Sequence, residues 1–247
     1  MLYVCLATRN NAQSIGLLLW KLRKVFQEFP REYHILVADD ASTDGSGELL
    51  ETYQRALPLT LVRHREPRGL ASALEGLFRD ALTRSDRPKR DCVATIPADF
   101  SYSPGVLPDL IRRFESGADV IVGESALERH ALGMRVVARS APWLLRPGIV
   151  LPGLRDLLSG VVLIRLVTLK RCLPESEALL VTDGIPARAE LLARAASSAR
   201  QIAAVPVEPR ERVNGGTSPE GPLSLAFSLF RAGRTVRIPR PETDVQR

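Results

Sequence analysis

Two carboxylates, Asp39 and Asp40, stand side by side where an apolar run from Tyr33 to Ala38 gives way to Ser42, Thr43, Asp44 and Gly45. A strand ending in such a turn puts acceptor oxygens at the carboxyl edge of a sheet, where open parallel sheets bind their ligands. Asp99 follows a second apolar run, Cys92 to Ile96, within Pro97-Ala98-Asp99. Carboxylates at these edges accept hydrogen bonds from a small molecule or share a divalent cation with it. Asp44 is expected to cap the helix that begins near Glu48. Asp40, Ser42, Asp44, Gly45 and Glu51 also fall on the ligand positions of an EF-hand calcium loop. That reading is set aside, because a β-rich run rather than a helix precedes the loop and Gly47 stands where an apolar residue is usual.

The elements that would position these residues alternate. Leu2 to Ala7 reads as a buried strand and Thr8 to Asn11 as a polar turn suited to a helix N-cap. Ile15, Leu18, Leu19, Leu22, Val25 and Phe29 recur at helical spacing, and Pro30 closes that helix. Strands are expected at 35–38, 59–62, 92–96 and 118–122, with helices at 48–56, 70–81 and 104–114; Pro104 sits in a first turn, where its missing N–H costs nothing. Each crossover is long enough for a helix, which predicts a mostly parallel α/β sheet covered on both faces. Beyond Gly123 the pattern loosens into a helix at 134–145, a Pro/Gly-rich stretch at 147–153, a strand at 161–164, a helix at 187–196, a strand at 202–207 and an apolar helix at 223–230.

The chain of 247 residues is 45% hydrophobic and 25% charged, the balance of a soluble globular protein and not of a disordered or fibrous one. It carries a net charge of +6, with Arg far outnumbering Lys. No nucleic-acid partner is expected; the Arg-rich tail suits phosphates, an anionic membrane surface or simply water. Cys5, Cys92 and Cys172 lack metal-ligand spacing and read as reduced, buried thiols of a cytoplasmic protein. No signal peptide is seen, and no apolar run reaches the roughly 18 residues of a spanning helix. A soluble or membrane-peripheral protein is expected.

Several segments, in order, resemble family 2 glycosyltransferases of the GT-A fold, above all the polyprenyl-phosphate (dolichol-phosphate) mannosyl- and glucosyltransferases. Leu6-Ala7-Thr8-Arg9-Asn10-Asn11 is similar to the family's opening strand and turn. Ala38-Asp39-Asp40-Ala41-Ser42-Thr43-Asp44-Gly45 is similar to its V-D-D-x-S-x-D-G. The stretch from Arg65 through Gly69 to Leu77, Pro97-Ala98-Asp99, Asp119 to Ser125, Asp156 to Gly160, Glu190-Leu191-Leu192, and Val205 through Arg212 to Thr217 match further family segments. The resemblance implies one GT-A-like domain over 1–247, with a nucleotide-binding half at 1–125, an acceptor half at 126–222 and an amphipathic basic tail at 223–247.

What the resemblance implies for the site follows residue by residue. Ala7, Arg9, Asn11, Asp39, Asp40, Gly69, Ala98 and Arg139 would bind a nucleoside diphosphate sugar, UDP- or GDP-linked. Asp99, helped by Ser101, would hold Mg²⁺ or Mn²⁺ on the diphosphate. Arg212 would neutralise charge on the acceptor or leaving group, and Asp183 would serve as base if the acceptor is a hydroxyl. An acceptor phosphate, such as polyprenyl phosphate, is already ionised and needs no base. Three positions depart from the family: Asn11 replaces a Glu, Pro97 an Asp and Ser125 an Arg. These departures make a nucleotide-sugar-binding protein without catalysis the competing reading. The histidines have no motif around them and are read as surface or core residues.

Overall fold

The structure is a computed structural model that describes residues 1–126, 132–151, 153–173, 177–210, 221–238 and 245–246. The first half alternates as expected: β1 (Leu2–Thr8), α1 (Ala12–Glu28), β2 (Tyr33–Asp39), α2 (Ser46–Gln54), β3 (Leu59–Arg63), α3 (Gly69–Arg84) and β4 (Cys92–Thr95). A 3-10 turn at Pro104–Val106 leads into α4 (Leu107–Glu115) and β5 (Val120–Ser125). Then come α5 (Leu132–Leu144), β6 (Val162–Arg165), α6 (Leu166–Cys172), α7 (Ile185–Ser197), β7 (Ile202–Val207), α8 (Pro222–Thr235) and β8 (Val245–Gln246).

One sheet runs through the fold in the order β3-β2-β1-β4-β6-β5-β7-β8. Its pairs are parallel except those of β6, which is antiparallel to both β4 and β5. The mixed α/β sheet is thus mostly parallel, and the exception matters. A strand running against its neighbours starts where they end, so the entry to β6 lies at the carboxyl edge of β1, β2 and β4.

Alternation along the strands sorts side chains into two cores. Tyr3 and Cys5 of β1 and Leu36 and Ala38 of β2 face the layer that contains α3, α6, α7 and α8. Leu2, Val4, Leu6, Ile35 and Val37 face α1, α2 and α4. The predicted stripe of α1 is buried, each fully enclosed Leu contributing about 1.5–3 kcal/mol. Phe29 is only partly buried; Phe26 takes the interior place and stacks on Tyr33 with centroids 3.9 Å apart.

Both faces of every central strand are therefore apolar, which is why parallel strands read as continuous hydrophobic runs. Cys5 and Cys92 are buried as expected, while Cys172 is only half-buried. Among the described residues no helix is long and apolar enough to cross a membrane.

Candidate active site

The loops after β1 and β2 are laced together before they form any cleft. Asn10 N donates to Ser42 Oγ (2.9 Å), Thr43 N to Asn10 Oδ1 (2.9 Å) and Asn11 N to Ser46 Oγ (3.0 Å). Asp44 stands one residue before Gly45, the N-cap of α2: its Oδ1 accepts from Ser46 N (3.1 Å), and its Oδ2 accepts from Ala12 N (2.9 Å), the first residue of α1. Asn11 does not cap α1 with its side chain, which instead donates to Thr8 Oγ1 and the Arg9 carbonyl. The D-D-x-S-x-D-G segment is thus a scaffold that fixes two strand ends against each other.

Asp39 and Asp40 point to different tasks. Asp39 is 1% exposed, accepts from Ser42 N (3.1 Å) and pairs with Arg63 at 3.5 Å, and it does not line the cleft. Asp40 does line it. Its Oδ1 accepts from His64 Nδ1 (2.8 Å) and Arg68 N (2.7 Å), and its Oδ2 from Gly69 N (2.9 Å). Burial pushes this carboxyl upward, but the bonds from His64, Arg68 and Gly69 outweigh it and hold it below its ordinary value of 3.8. A carboxylate offers about four acceptor positions, so one remains for a ligand. His64, which no sequence motif singled out, is therefore a partner of the site rather than an isolated core residue.

The cleft encloses about 510 Å³ at the carboxyl edge of the sheet. Ala7, Arg9, Asn11, Asp40, Gly69, Ala98, Asp99 and Asp183, all expected from the sequence, line it together. Asp99 Oδ1 accepts from Ser101 N (3.0 Å), and Ser103, not Asp99, caps the following turn by accepting from Gly105 N. The Asp99 loop is braced from below, where Arg210 N donates to the Ser101 carbonyl and Tyr102 bridges Pro209. Asp183 reaches from the far wall, its Oδ1 accepting from Ala71 N (2.9 Å). Gly69 has φ +86°, and a Cβ there would lie 2.1 Å from Asp183 Oδ2. The turn carrying Asp183 is held by Glu190, fully buried on α7, which accepts from Val181 N, Thr182 N and Thr182 Oγ1 and pairs with Arg194 at 2.8 Å.

Besides Asp39, three expected residues do not join this set. Ser101 and Arg139 do not line the cleft, Arg139 being exposed on α5. Arg212 lies outside the described residues. Ser125 is buried, and its hydroxyl donates to Asp156, whose other oxygen accepts from Leu158 N and Ser159 N. Burial first, then the nearby Asp156 charge, pushes the neighbouring Tyr102 hydroxyl up to about 12.

Sequence reasoning missed Thr95, Gly160, Arg188 and Leu191. Ile185, Arg188 and Leu191 line the cleft at three-residue spacing on α7, a periodicity that was there to be read. Asp40, Asp99 and Asp183 are the carboxylates that line the cleft, the Pro97 side chain beside Asp99 offers no ligand, and no group of three or more His, Cys, Asp or Glu suited to a metal occurs among the described residues. A single carboxylate with substrate phosphates fits Mg²⁺ or Mn²⁺, which keep several waters.

Residues 3–138 match the model of glycosyl transferase family 2. The chain belongs to that family. It is 25% identical over 159 residues to a dolichol-phosphate mannosyltransferase of Pyrococcus furiosus, covering 62% of this chain and 42% of that one. It is 34% identical over 117 residues to an undecaprenyl-phosphate mannosyltransferase of Micrococcus luteus, covering 47% and 44%. The family 2 chain thus spans less than half the length of either relative. In fold it resembles glucosyl-3-phosphoglycerate synthase of Mycobacterium tuberculosis, solved with Mn²⁺, UDP and glucosyl-3-phosphoglycerate. The TM-score is 0.62 at 19% identity, over 94% of this chain and 76% of the other. The fold is GT-A.

Proposed function

We propose that this chain transfers a sugar, with inversion, from a nucleoside diphosphate sugar to a phosphate or hydroxyl acceptor, with a polyprenyl phosphate as the leading acceptor. The observation that carries the reading is the convergence of Asp40, Asp99 and Asp183 on one cleft at the carboxyl edge of the sheet. Asp40 uses its remaining acceptor position for an N–H of the base, while Ala7, Arg9 and Asn11 lie along the nucleotide. A divalent cation, Mg²⁺ or Mn²⁺, would neutralise charge on the departing diphosphate, and Asp99 is the residue that would hold it. The acceptor oxygen attacks the anomeric carbon as its bond to the diphosphate breaks, which inverts the centre. A hydroxyl acceptor would pass its proton to Asp183; an ionised phosphate would not need it. Arg212 is the further cation assigned to acceptor or leaving-group charge.

A lipid-linked acceptor agrees with the outer face of α5 and α8, which pack together. Leu132, Val136 and Trp143 on α5 and Leu223 and Phe227 on α8 are 61–88% exposed. Arg135, Arg139, Arg146, Arg231, Arg234 and Arg237 lie along the same two segments, which contain no acidic residue. Apolar side chains rimmed by arginine suit the surface of an anionic bilayer. The chain is accordingly read as membrane-peripheral on the cytoplasmic side.

A transfer assay tests this. UDP- and GDP-linked sugars are offered with polyprenyl phosphate in vesicles, with and without Mn²⁺. Turnover that needs the cation and disappears in Asp99→Ala is expected. Tight nucleotide binding with no turnover on any acceptor would favour the non-catalytic binding protein, for which Pro97 speaks. Wild-type turnover in Asp99→Ala would sink the role given to Asp99.

A further inference from the structure

A diphosphate entering this cleft meets Asp40, Asp99 and Asp183, and among the described lining residues only Arg9 and Arg188 carry positive charge. Arg9 is exposed at the rim. Of the two further cations that the sequence suggested, Arg139 does not line the cleft and Arg212 lies outside the described residues; Ser125, where the family carries an Arg, is buried against Asp156.

Arg188, in contrast, is built into the wall. Its Nη1 donates to the carbonyls of Leu158 (3.0 Å) and Ser159 (3.3 Å). Its stem passes over Gly160, where a Cβ would lie 2.9 Å from both Arg188 Cδ and Nε. Gly160 has φ +72°, a conformation that side chains rarely adopt, so this backbone both turns and leaves room for the arginine. The Gly160 carbonyl in turn accepts from Thr95 Oγ1 (2.8 Å) at the end of β4, the strand that leads into Pro97-Ala98-Asp99. The guanidinium is thereby fixed on the Asp99 side of the cleft. A planar guanidinium with five N–H donors is suited to phosphoryl oxygens.

We propose that Arg188 is a phosphoryl-binding cation of this cleft, taking the donor diphosphate or the acceptor phosphate. The proposal rests on the reading of the cleft as a nucleoside diphosphate sugar site. Together with a cation that Asp99 would hold, Arg188 stabilises the negative charge that grows on the phosphoryl oxygens as the sugar bond breaks.

The test uses the full chain with Arg188→Gln and Arg188→Lys. Gln carries no charge and is shorter; Lys keeps the charge and loses the fork. UDP and GDP are titrated with Mn²⁺ by calorimetry, and the KM for polyprenyl phosphate in vesicles is measured in parallel, each with a thermal melt. Loss of a charged hydrogen-bond partner predicts that Arg188→Gln weakens one phosphoryl ligand about 10- to 100-fold, with a near wild-type melt and a smaller loss for Arg188→Lys. Weakened UDP or GDP binding assigns the donor diphosphate; an unchanged titration with a raised KM assigns the acceptor phosphate. Folded variants that alter neither would overturn the proposal. If Arg188→Gln does not fold, Arg188→Lys is read alone: weaker binding in either arm supports the proposal, and wild-type values in both overturn it. A wild-type chain that binds neither UDP nor GDP instead defeats the reading of the cleft, and this proposal with it.

Discussion

Asp40 ties loops of the fold together and lines the cleft at once. Three donors converge on its carboxylate, from the end of β3 and from the start of α3. Its pKa and that of Asp44 are depressed below the ordinary value of 3.8. A depressed carboxyl contributes stability that is complete above its unfolded pKa and lost as pH falls through the folded one. Urea midpoints are therefore expected to hold from pH 7 to about 5 and to fall below about pH 4. In Asp40→Asn the amide must turn an N–H toward Arg68 N or Gly69 N, for a loss of about 1–3 kcal/mol at pH 7 and a shallower fall in acid. An unchanged acid profile in that variant would remove Asp40 from this account. The position of Asp40 at a strand end was legible in the sequence, as was that of Asp99. Its partner His64 was not, because the two meet only when β2 and β3 pair with Asp39 opposite Arg63. Asp39 looked equivalent to its neighbour, and only the pleat tells them apart: one side chain goes to Arg63 and the other to the cleft.

Elements were legible where period and punctuation agreed, and direction was not. The apolar run at 161–164 announced a strand, but nothing in it distinguishes a parallel from an antiparallel partner, and β6 runs against β4 and β5. That reversal brings Gly160 to the cleft, so a residue matched by a motif gained its role from topology. Where elements meet the site, glycine is the sensitive position. Gly69→Ala places a Cβ at φ +86° against Asp183, and left-handed backbone alone costs about 1–2 kcal/mol. Chemical denaturation should register that loss, and turnover on a hydroxyl acceptor should fall further as Asp183 is displaced. Alanine at Gly69 with wild-type stability would contradict the packing described. Away from the cleft, Asp119 joins β5 to β6 and to the start of β7: it is 1% exposed and pairs with Arg165 at 2.7 Å and Arg200 at 3.0 Å. Arg200 is 73% exposed and contributes little through solvent. Removing the charge facing Arg165 in Asp119→Asn is expected to cost about 3 kcal/mol by urea unfolding. A change under 1 kcal/mol would show that Arg165 is held by its carbonyl partners alone.

At the scale of the molecule, one sheet carries the cleft of Asp40, Asp99 and Asp183 at its carboxyl edge, and the helix pair α5 and α8 exposes large apolar side chains and several arginines. The sequence announced α8 as an apolar helix with basic residues. It could not announce that α5 would lie beside it, because that contact joins segments about ninety residues apart. The double variant Leu223→Glu, Phe227→Glu replaces two outward side chains on α8. It should leave the fold and nucleotide binding intact while abolishing co-sedimentation with anionic vesicles; undiminished sedimentation would remove the membrane assignment. The central claim is that the cleft holds a nucleoside diphosphate. Calorimetric titration of the intact chain with UDP and GDP, with and without Mn²⁺, tests it most directly. The account predicts saturable binding of at least one of them, tightened by Mn²⁺ and at least about tenfold weaker in Asp99→Ala; a folded chain that binds neither nucleotide under either condition would contradict it.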